Sequence, residues 1–554
     1  MEIRLKRGPE EPVEIIKTDG PVRAELLVKQ YGGGLPYDIL AVRVDNQVKE
    51  LTEILEGDCD VEFLDMRDHG ANLIYQRSLS LIYLKAVEDV LGKVTVVIEN
   101  SLNKGLFTEI KLPEVITQQQ LDAVSARMQQ LIDGDLPIIR EKLPREEVIG
   151  VLRSRGYIKK AELLEGRPNL EEATLYELEG YKNFFFGSMV PSTGYIRHFE
   201  LRKYRRGVIL RFPYPTDPGR VPEYEDEPKL CAAFGESKNW HKLLGVEYLS
   251  DLNRKVGNGE FKEIALLSEA LHEKKITEMA DEICRGGKRI ILIAGPSSSG
   301  KTTTARRLCI QLQVNGKKPI YLGTDDYFVE RPETPLDEKG EPDFEVLEAV
   351  DIKLFNEHMN SLLAGQEVDI PEFDFINGTK IFGKRITSIT QDQPIVIEGI
   401  HALNQELTKY IDDEWKYRIY ISPFVQLNMD NHNRIATTDA RMLRRMIRDS
   451  RSRGKTAHRT IAEWPKVRKG EDKNIFPFNG EADVLFNTAL AYELCILKKY
   501  AMPLLEQVKP GEREYSEASR LRKMLYFVES VEDDSVVPNN SILKEFIGGS
   551  IFVE

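Results

Sequence analysis

Cysteine is scarce in this chain: Cys59, Cys231, Cys284, Cys309 and Cys495 are scattered over 554 residues, and no two form a C-x-x-C pair. That pattern excludes a disulfide scaffold and reads as reduced thiols, with Cys284 and Cys309 in apolar helical context. Long apolar runs are missing too. No stretch is long enough to span a bilayer, and Met1-Glu-Ile-Arg-Leu-Lys is no signal segment, so a cytoplasmic protein without a membrane partner is expected. Positive charge is in deficit. A formal net charge of −13 argues against broad electrostatic attraction to nucleic acid or anionic lipid, although a local basic patch is compatible with it. Internal repeats, low-complexity tracts and the guanine-reading N-K-x-D motif of GTPases are absent.

What is present describes a globular chain of several domains, with 41% hydrophobic and 30% charged residues. Residues 1–65 read as a β-rich unit in which Ile39–Val44 and Val48–Leu51 flank the turn Asp45-Asn46-Gln47. Residues 66–235 read as mixed α+β. They contain an amphipathic helix near Leu73–Leu91, a strand at Lys93–Glu99, a helix at Gln118–Leu131 and paired strands over Arg197–Arg211. The acidic, proline-bearing stretch Thr216–Pro228 reads as a surface loop. A helical connector at 236–285 leads into a nucleotide domain at 286–508, and a helical tail at 509–554 follows, with a helix over Glu514–Glu529.

The most informative segment is Ile290-Ile-Leu-Ile-Ala-Gly-Pro-Ser-Ser-Ser-Gly-Lys-Thr-Thr303. A buried strand feeds a loop matching G-x-x-x-x-G-K-[ST] at Gly295, Gly300, Lys301 and Thr302, and a helix follows. Such a loop turns backbone N–H groups toward phosphate oxygens at the positive end of a helix. Gly295, Pro296, Ser297, Ser298, Ser299, Gly300, Lys301, Thr302 and Thr303 are therefore the expected triphosphate cradle. Lys301 would reach the outer phosphates, and the Thr302 hydroxyl would ligate Mg²⁺.

Two further strands end in carboxylates: Pro319–Gly323 runs into Thr324-Asp325-Asp326-Tyr327-Phe328, and Pro394–Ile397 runs into Glu398. Ligands of open parallel sheets gather at such strand ends, so Lys301, Asp325 and Glu398 could share one crevice. One carboxylate of the Asp325-Asp326 pair could accept a hydroxyl proton, and another could hold Mg²⁺. In Arg441-Met-Leu-Arg-Arg-Met-Ile-Arg-Asp-Ser-Arg-Ser-Arg-Gly454, the residues Arg441, Arg444, Arg445 and Arg448 fall at helical spacing. Guanidinium groups on a mobile lid there would neutralise charge on a transferring phosphate, the participating arginines being left open.

The ordered motifs GPSSSGKTT, TDDYF, IPEFDF, VIEGIHAL and RMLRRMIRDSRSRG resemble the uridine kinase and phosphoribulokinase family over residues 286–508. The resemblance implies an α/β P-loop fold, a parallel sheet with helices on both faces. It also implies ATP and Mg²⁺, with phosphate passed to a hydroxyl of a small, nucleoside-like acceptor. Asp325 matches the family's catalytic base, with Lys301, Arg444, Arg448 and Arg453 in the transfer machinery, and Thr302 and Glu398 at the metal. Tyr327, Phe328, Phe344, Glu345, Phe373, Asp374, His401 and Arg441 fall on the acceptor side. Three positions depart from uridine kinases. Phe344-Glu345 replaces a Phe-Asp pair, Phe373-Asp374-Phe375 replaces Tyr-Asp-Phe, and Gly378 replaces a histidine that touches the pyrimidine. Hydrogen-bonding pockets discriminate strongly, so the transfer machinery is retained while the base-reading part is not.

The front half resembles the editing-side N-terminal region of threonyl-tRNA synthetases, with a TGS-like β-grasp module at 1–65 and an α+β domain around Val190–Phe199. That domain normally carries His-x-x-x-His and Cys-x-x-x-His pairs, a set able to bind zinc or handle water. Here His69 is followed by Leu73, and the later pair reads Phe185 and Met189, so the set cannot assemble and a scaffold for sensing or binding is expected. Trp240-His241 and His272 read as packing residues. Two functions are carried forward: a small-molecule kinase, and a nucleotide-switched regulator that binds RNA or tRNA through its front half. The oligomeric state is open.

Overall fold

In β1 (Glu2–Lys6) apolar residues alternate with charged ones, and Ile3 and Leu5, with Ile16 of β2 (Val13–Lys17), are buried against α1 (Ala24–Tyr31). With β3 (Ala41–Val44), β4 (Gln47–Lys49) and β5 (Cys59–Leu64) they form one sheet in the order β2-β1-β5-β3-β4, in which β1 and β5 are parallel. Asp45 and Asn46 take φ of 47° and 63°, the left-handed pair that a two-residue hairpin turn requires. This is the β-grasp module. The computed structural model describes every residue except Glu10, Glu338, Lys339, Phe375, Ile376 and Glu554.

The helix expected to be amphipathic is not. α2 (His69–Leu91) buries residues on every side, including Asn72, Ser78 and Ser80. Ser78 and Ser80 donate to the carbonyls of Ile74 and Gln76 one turn back, which lets polar residues sit in a core helix. Around α2 pack β6 (Thr95–Leu102), β7 (Gly105–Lys111) and α3 (Gln118–Asp133), all sharing one apolar cluster. β8 (Ile139–Pro144), α4 (Arg145–Ser154), α5 (Ile158–Glu165), β9 (Glu172–Leu178), β10 (Tyr181–Phe184), β11 (Glu200–Tyr204) and β12 (Gly207–Arg211) complete the region. Their sheets run β8-β9-β10 and β11-β12-β7-β6.

Pro228 ends the acidic loop by opening α6 (Pro228–Leu244), its ring tolerated in the first helical turn. α6 therefore runs across the boundary expected at 235. α7 (Leu249–Gly257) and α8 (Phe261–Arg285) follow. Trp240 and His272 pack ring to ring, and His272 and His241 each bond a backbone carbonyl, as packing residues do.

The remaining chain builds an α/β layer. Its elements are β13 (Ile290–Ala294), α9 (Lys301–Val314), β14 (Ile320–Gly323), α10 (Ile352–Leu363), β15 (Ile395–Glu398), β16 (Lys416–Ser422), α11 (Thr437–Ser452), α12 (Ala457–Asn474), β17 (Val484–Asn487), α13 (Glu493–Leu505), α14 (Tyr515–Tyr526) and α15 (Ile542–Ile547). The sheet order is β14-β15-β13-β16-β17 and every pairing is parallel. β13 is buried throughout because both faces are covered. Ile291 and Ile293 meet α8, α9 and α15, whereas Ile290 and Leu292 meet α6 and α10. β13 has a neighbour on each side, so the chain reverses strand order at its carboxyl end and opens a crevice there. The loop between β16 and α11 is fastened to the front half: Lys160 is fully buried, donating to Asn183 and to the Phe184 carbonyl and standing 3.4 Å from Asp430. Among the described residues no helix is long and apolar enough to cross a membrane.

Candidate functional site

The glycine loop leaves β13 at Gly295 and enters α9 through Gly300, whose φ of 90° only glycine adopts freely. Ser298 takes φ of 61°, a strained conformation for a residue with a side chain and common where a backbone is shaped for a ligand. The hydroxyls of Ser298 and Ser299 are buried and, among the described residues, lack a protein partner. Lys301 folds back so that its ammonium donates to the Gly295 and Pro296 carbonyls at 3.0 and 3.3 Å. Buried hydroxyls, a cation over the loop and helix-start N–H groups without acceptors within the helix suit an anionic, multi-oxygen ligand such as a triphosphate.

The register of the sheet sets the carboxylates. Glu398 lies beside Gly323 on one side and Ile293 on the other, at the mouth of the loop. It accepts hydrogen bonds from the Thr302 hydroxyl and the Tyr321 hydroxyl, both at 3.0 Å. A hydroxyl and a carboxylate side by side are hard oxygen donors of the kind Mg²⁺ takes. Gly399 is required by packing: a Cβ there would fall 1.8 Å from the Thr324 hydroxyl, so β14 and β15 close on each other only because that side chain is absent.

The structure separates the two aspartates. Asp326 is tied to Arg385 at 2.8 Å, whereas among the described residues the Asp325 carboxylate makes no ion pair. Asp325 keeps access to solvent along the crevice, yet protein crowds it on the other sides. That crowding, and then the charge of Glu398, push its carboxyl up to about 7 against the pull of Lys301. A carboxylate with such an affinity for protons is matched to accepting one near neutral pH.

The arginine helix differs from the expected lid. α11 is buried along most of its length, and its arginines divide between two directions. Arg441 donates to the Ser297 carbonyl at 2.9 Å and pairs with Glu471; Arg445 donates to the Ser297 hydroxyl at 2.8 Å. Arg448 and Arg453 both stand against Asp449, Arg453 with about half of its side chain exposed and near enough to feel the Asp325 charge. Arg444 is a correction. It points the other way, fully buried, donating to Glu493 and the Thr488 carbonyl with its guanidinium 5.1 Å from the centre of the Phe546 ring. Arg441 and Arg445 face the loop through Ser297, Arg448 turns to Asp449, and Arg444, at the edge of the same helical face, is drawn to Glu493.

On the acceptor side, Phe344 packs tilted and Phe373 edge-on against Phe328 as one aromatic wall, with centroids 5.3 and 5.7 Å from Phe328. Tyr327 is a second correction. It turns into the core against Phe355, its hydroxyl 3.2 Å from a ring nitrogen of His358. Glu345 is half-buried, and burial together with the Glu471 charge raises its carboxyl above the usual range. Asp374 holds the backbone and amide N–H groups of Asn377, closing a turn, and Phe375 lies outside the described residues. Gly378, where a ring-contacting histidine would stand, has φ of 70° and Arg331 packed where its side chain would go, so no imidazole fits. His401 is buried beside the Val346 backbone, and burial takes it down to about 4, keeping it neutral.

Sequence reasoning missed Glu471. This buried carboxylate accepts from the Ser297 N–H at 3.0 Å and pairs with Arg441, tying α12 and α11 to the loop. Its partner Ser297 lies far away in sequence, so no spacing could signal it. Tyr321 could have been found, since it lies two residues before Gly323 on the strand face that meets Glu398.

In the front half, His69 is an exposed first residue of α2, whereas Phe185 and Met189 are buried in the apolar cluster around that helix. Arg77, which donates to the Ser188 carbonyl, fills the space against Gly187. No imidazole–thiol set assembles there among the described residues.

Residues 290–492 match the Phosphoribulokinase / Uridine kinase family. The N-terminal region is similar to threonine–tRNA ligases. That of Methylococcus capsulatus is 31% identical over 185 residues, 33% of this chain and 29% of the ligase. That of Methylobacillus flagellatus is 28% identical over 201 residues, 36% of this chain and 31% of the ligase. The chain thus spans less than a third of the length of these relatives. Among solved structures, a putative fructose transport system kinase from Silicibacter sp. TM1040 covers 38% of this chain and 98% of its own, at 16% identity and a TM-score of 0.26. A possible uridine kinase from Bacillus stearothermophilus covers 38% and 99%, at 18% identity and a TM-score of 0.25.

Proposed function

We propose, from the match of residues 290–492 to the phosphoribulokinase and uridine kinase family, that this chain transfers the terminal phosphate of ATP to a hydroxyl of a nucleoside-like small molecule. The observation that carries the reading is the unpaired Asp325 carboxylate at the strand-end crevice that also holds Lys301 and Glu398. In the proposed reaction the acceptor oxygen forms a bond to the terminal phosphorus, the bond from that phosphorus to its bridging oxygen breaks, and the hydroxyl proton passes to Asp325. Lys301, with Arg448 and Arg453 from the far side, sits to neutralise the charge that develops on the phosphoryl oxygens. Thr302 and Glu398 would hold Mg²⁺, which when bound supplies charge neutralisation across the phosphates. The aromatic wall of Phe328, Phe344 and Phe373 suits a flat or furanose-like acceptor. Glu345, within range of the Lys301 and Arg445 charges, would supply a polar contact, whereas His401, buried beside the Val346 backbone, and Arg441, buried against Ser297 and Glu471, are closed to the acceptor.

The test is ATP consumption by purified protein with Mg²⁺ against a panel of nucleosides, sugars and small alcohols, with Lys301→Ala as the blank. One acceptor with strong, Asp325-dependent turnover is the expected result. A pH profile gives an independent check. A base must be ionised to work, and Asp325 is pushed up to about 7, so kcat/KM should rise close to tenfold per unit from pH 5.5 and level off above 7. A profile flat from pH 5.5 to 8 would remove Asp325 from the role.

A second reading rests on the similarity of the front half to threonine–tRNA ligases: a nucleotide-switched protein that contacts RNA. The net charge of −13 ranks it below the first. Filter binding of bulk tRNA over a salt series decides, because phosphate contacts give a steep salt dependence; ATP binding without turnover on any acceptor, together with such a slope, would reverse the order.

A further inference from the structure

The start of α9 carries an anion already, supplied by the protein's own C-terminal segment. Helix geometry leaves the N–H groups of Lys301, Thr302 and Thr303 without intrahelical acceptors, and the first such bond is that of Thr304 to the Gly300 carbonyl. Thr303, fully buried, gives both its donors to one residue: its hydroxyl and its N–H reach Glu545 Oε2 at 2.7 and 3.3 Å. Glu545 lies on α15, which also lays Ile542 over Gly300, where an added Cβ would come within 2.6 Å of it. The same short helix is gripped by the arginine helix: Arg451 donates to the Glu545 and Phe546 carbonyls, and Arg444 lies on the Phe546 ring. Two anions cannot share one donor pair in a buried site without a large electrostatic cost.

We propose that Glu545 is an affinity-setting residue of the nucleotide site. Its carboxylate stands in for a phosphate at Thr303, and a bound nucleoside triphosphate must displace it. The proposal rests on the nucleotide reading above and adds a competitor built into the chain. Because α15 is held by Arg451 and Arg444, expulsion of the Glu545 side chain loosens the contact between α15 and α11. Nucleotide entry is thereby linked to the helix that carries Arg441, Arg445 and Arg448.

The experiment is calorimetric titration of the full-length wild type, Glu545→Gln and Glu545→Ala with MgATP. Melting curves for each show that the variants fold. Glu545→Gln should bind MgATP roughly tenfold tighter than wild type, the size of effect expected on removing one competing buried charge. Equal or weaker binding by both folded variants would overturn the proposal and leave the nucleotide reading standing, with Glu545 a structural cap. ATP bound by none of the three would bring down the nucleotide reading itself. Hydrogen exchange on the wild type covers the case in which the variants do not fold: MgATP should speed exchange across residues 542–548, and protection there would overturn the proposal.

Discussion

Asp325→Asn should lower turnover roughly 10²–10⁴-fold while ATP binding survives, the loss expected on removing a general base. Asparagine keeps the shape of the side chain and removes only its ability to take a proton. It also removes a negative charge beside Glu398, so affinity for an anionic nucleotide should hold or rise. The contrast is Asp326→Asn. That change breaks the pair with Arg385 and leaves Asp325 in place, and it should cost far less activity. Single-turnover assays with nucleotide bound to both variants separate chemistry from binding. Near-normal turnover in Asp325→Asn would end the assignment, whatever Asp326→Asn does.

Arg444→Ala should unfold or strongly destabilise the protein, by about 3–5 kcal/mol, because it leaves the buried Glu493 carboxylate without its cation. The Thr488 carbonyl and the Phe546 ring lose a partner in the same step. Removing both charges, as in Arg444→Met with Glu493→Leu, should restore much of that stability, since an apolar pair fills similar space without an unpaired ion. Arg453→Ala is the opposite case. Its side chain is half in solvent and only 3.6 Å from Asp449 at the nearest approach, so melting should barely change while turnover falls. Thermal melts beside activity assays distinguish the two arginines. An Arg444→Ala protein that melts like wild type and merely turns over slowly would return Arg444 to the transfer machinery.

The difference between these arginines shows where sequence stops being legible. Arg441, Arg444, Arg445 and Arg448 share a spacing that reads as a single basic face, yet Arg444 is drawn away by buried partners on other elements. What covers the rest of α11 decides its role, and α13 and α15 come from much later in the chain. Tyr327 and Phe328 posed the same problem. Both are buried in one apolar cluster, and only the packed structure shows that Tyr327 meets Phe355 of α10 while Phe328 meets Phe344 and Phe373. α2 is buried on every side where an amphipathic helix was expected, because serines that bond their own helix can be buried at little cost.

The phosphate loop and the strand-end carboxylates were set by residues adjacent in the chain. Their chemistry is local: a glycine that permits a positive φ, a run of isoleucines buried on both faces, a helix whose first N–H groups have no acceptor within the helix. The carboxylates that close the site are another matter. Glu471 reaches Ser297, and Glu545 reaches Thr303, across separations that carry no periodicity and no motif. A buried anion is stable only where donors converge on it, and that convergence exists only once the sheet, α12 and α15 have packed together.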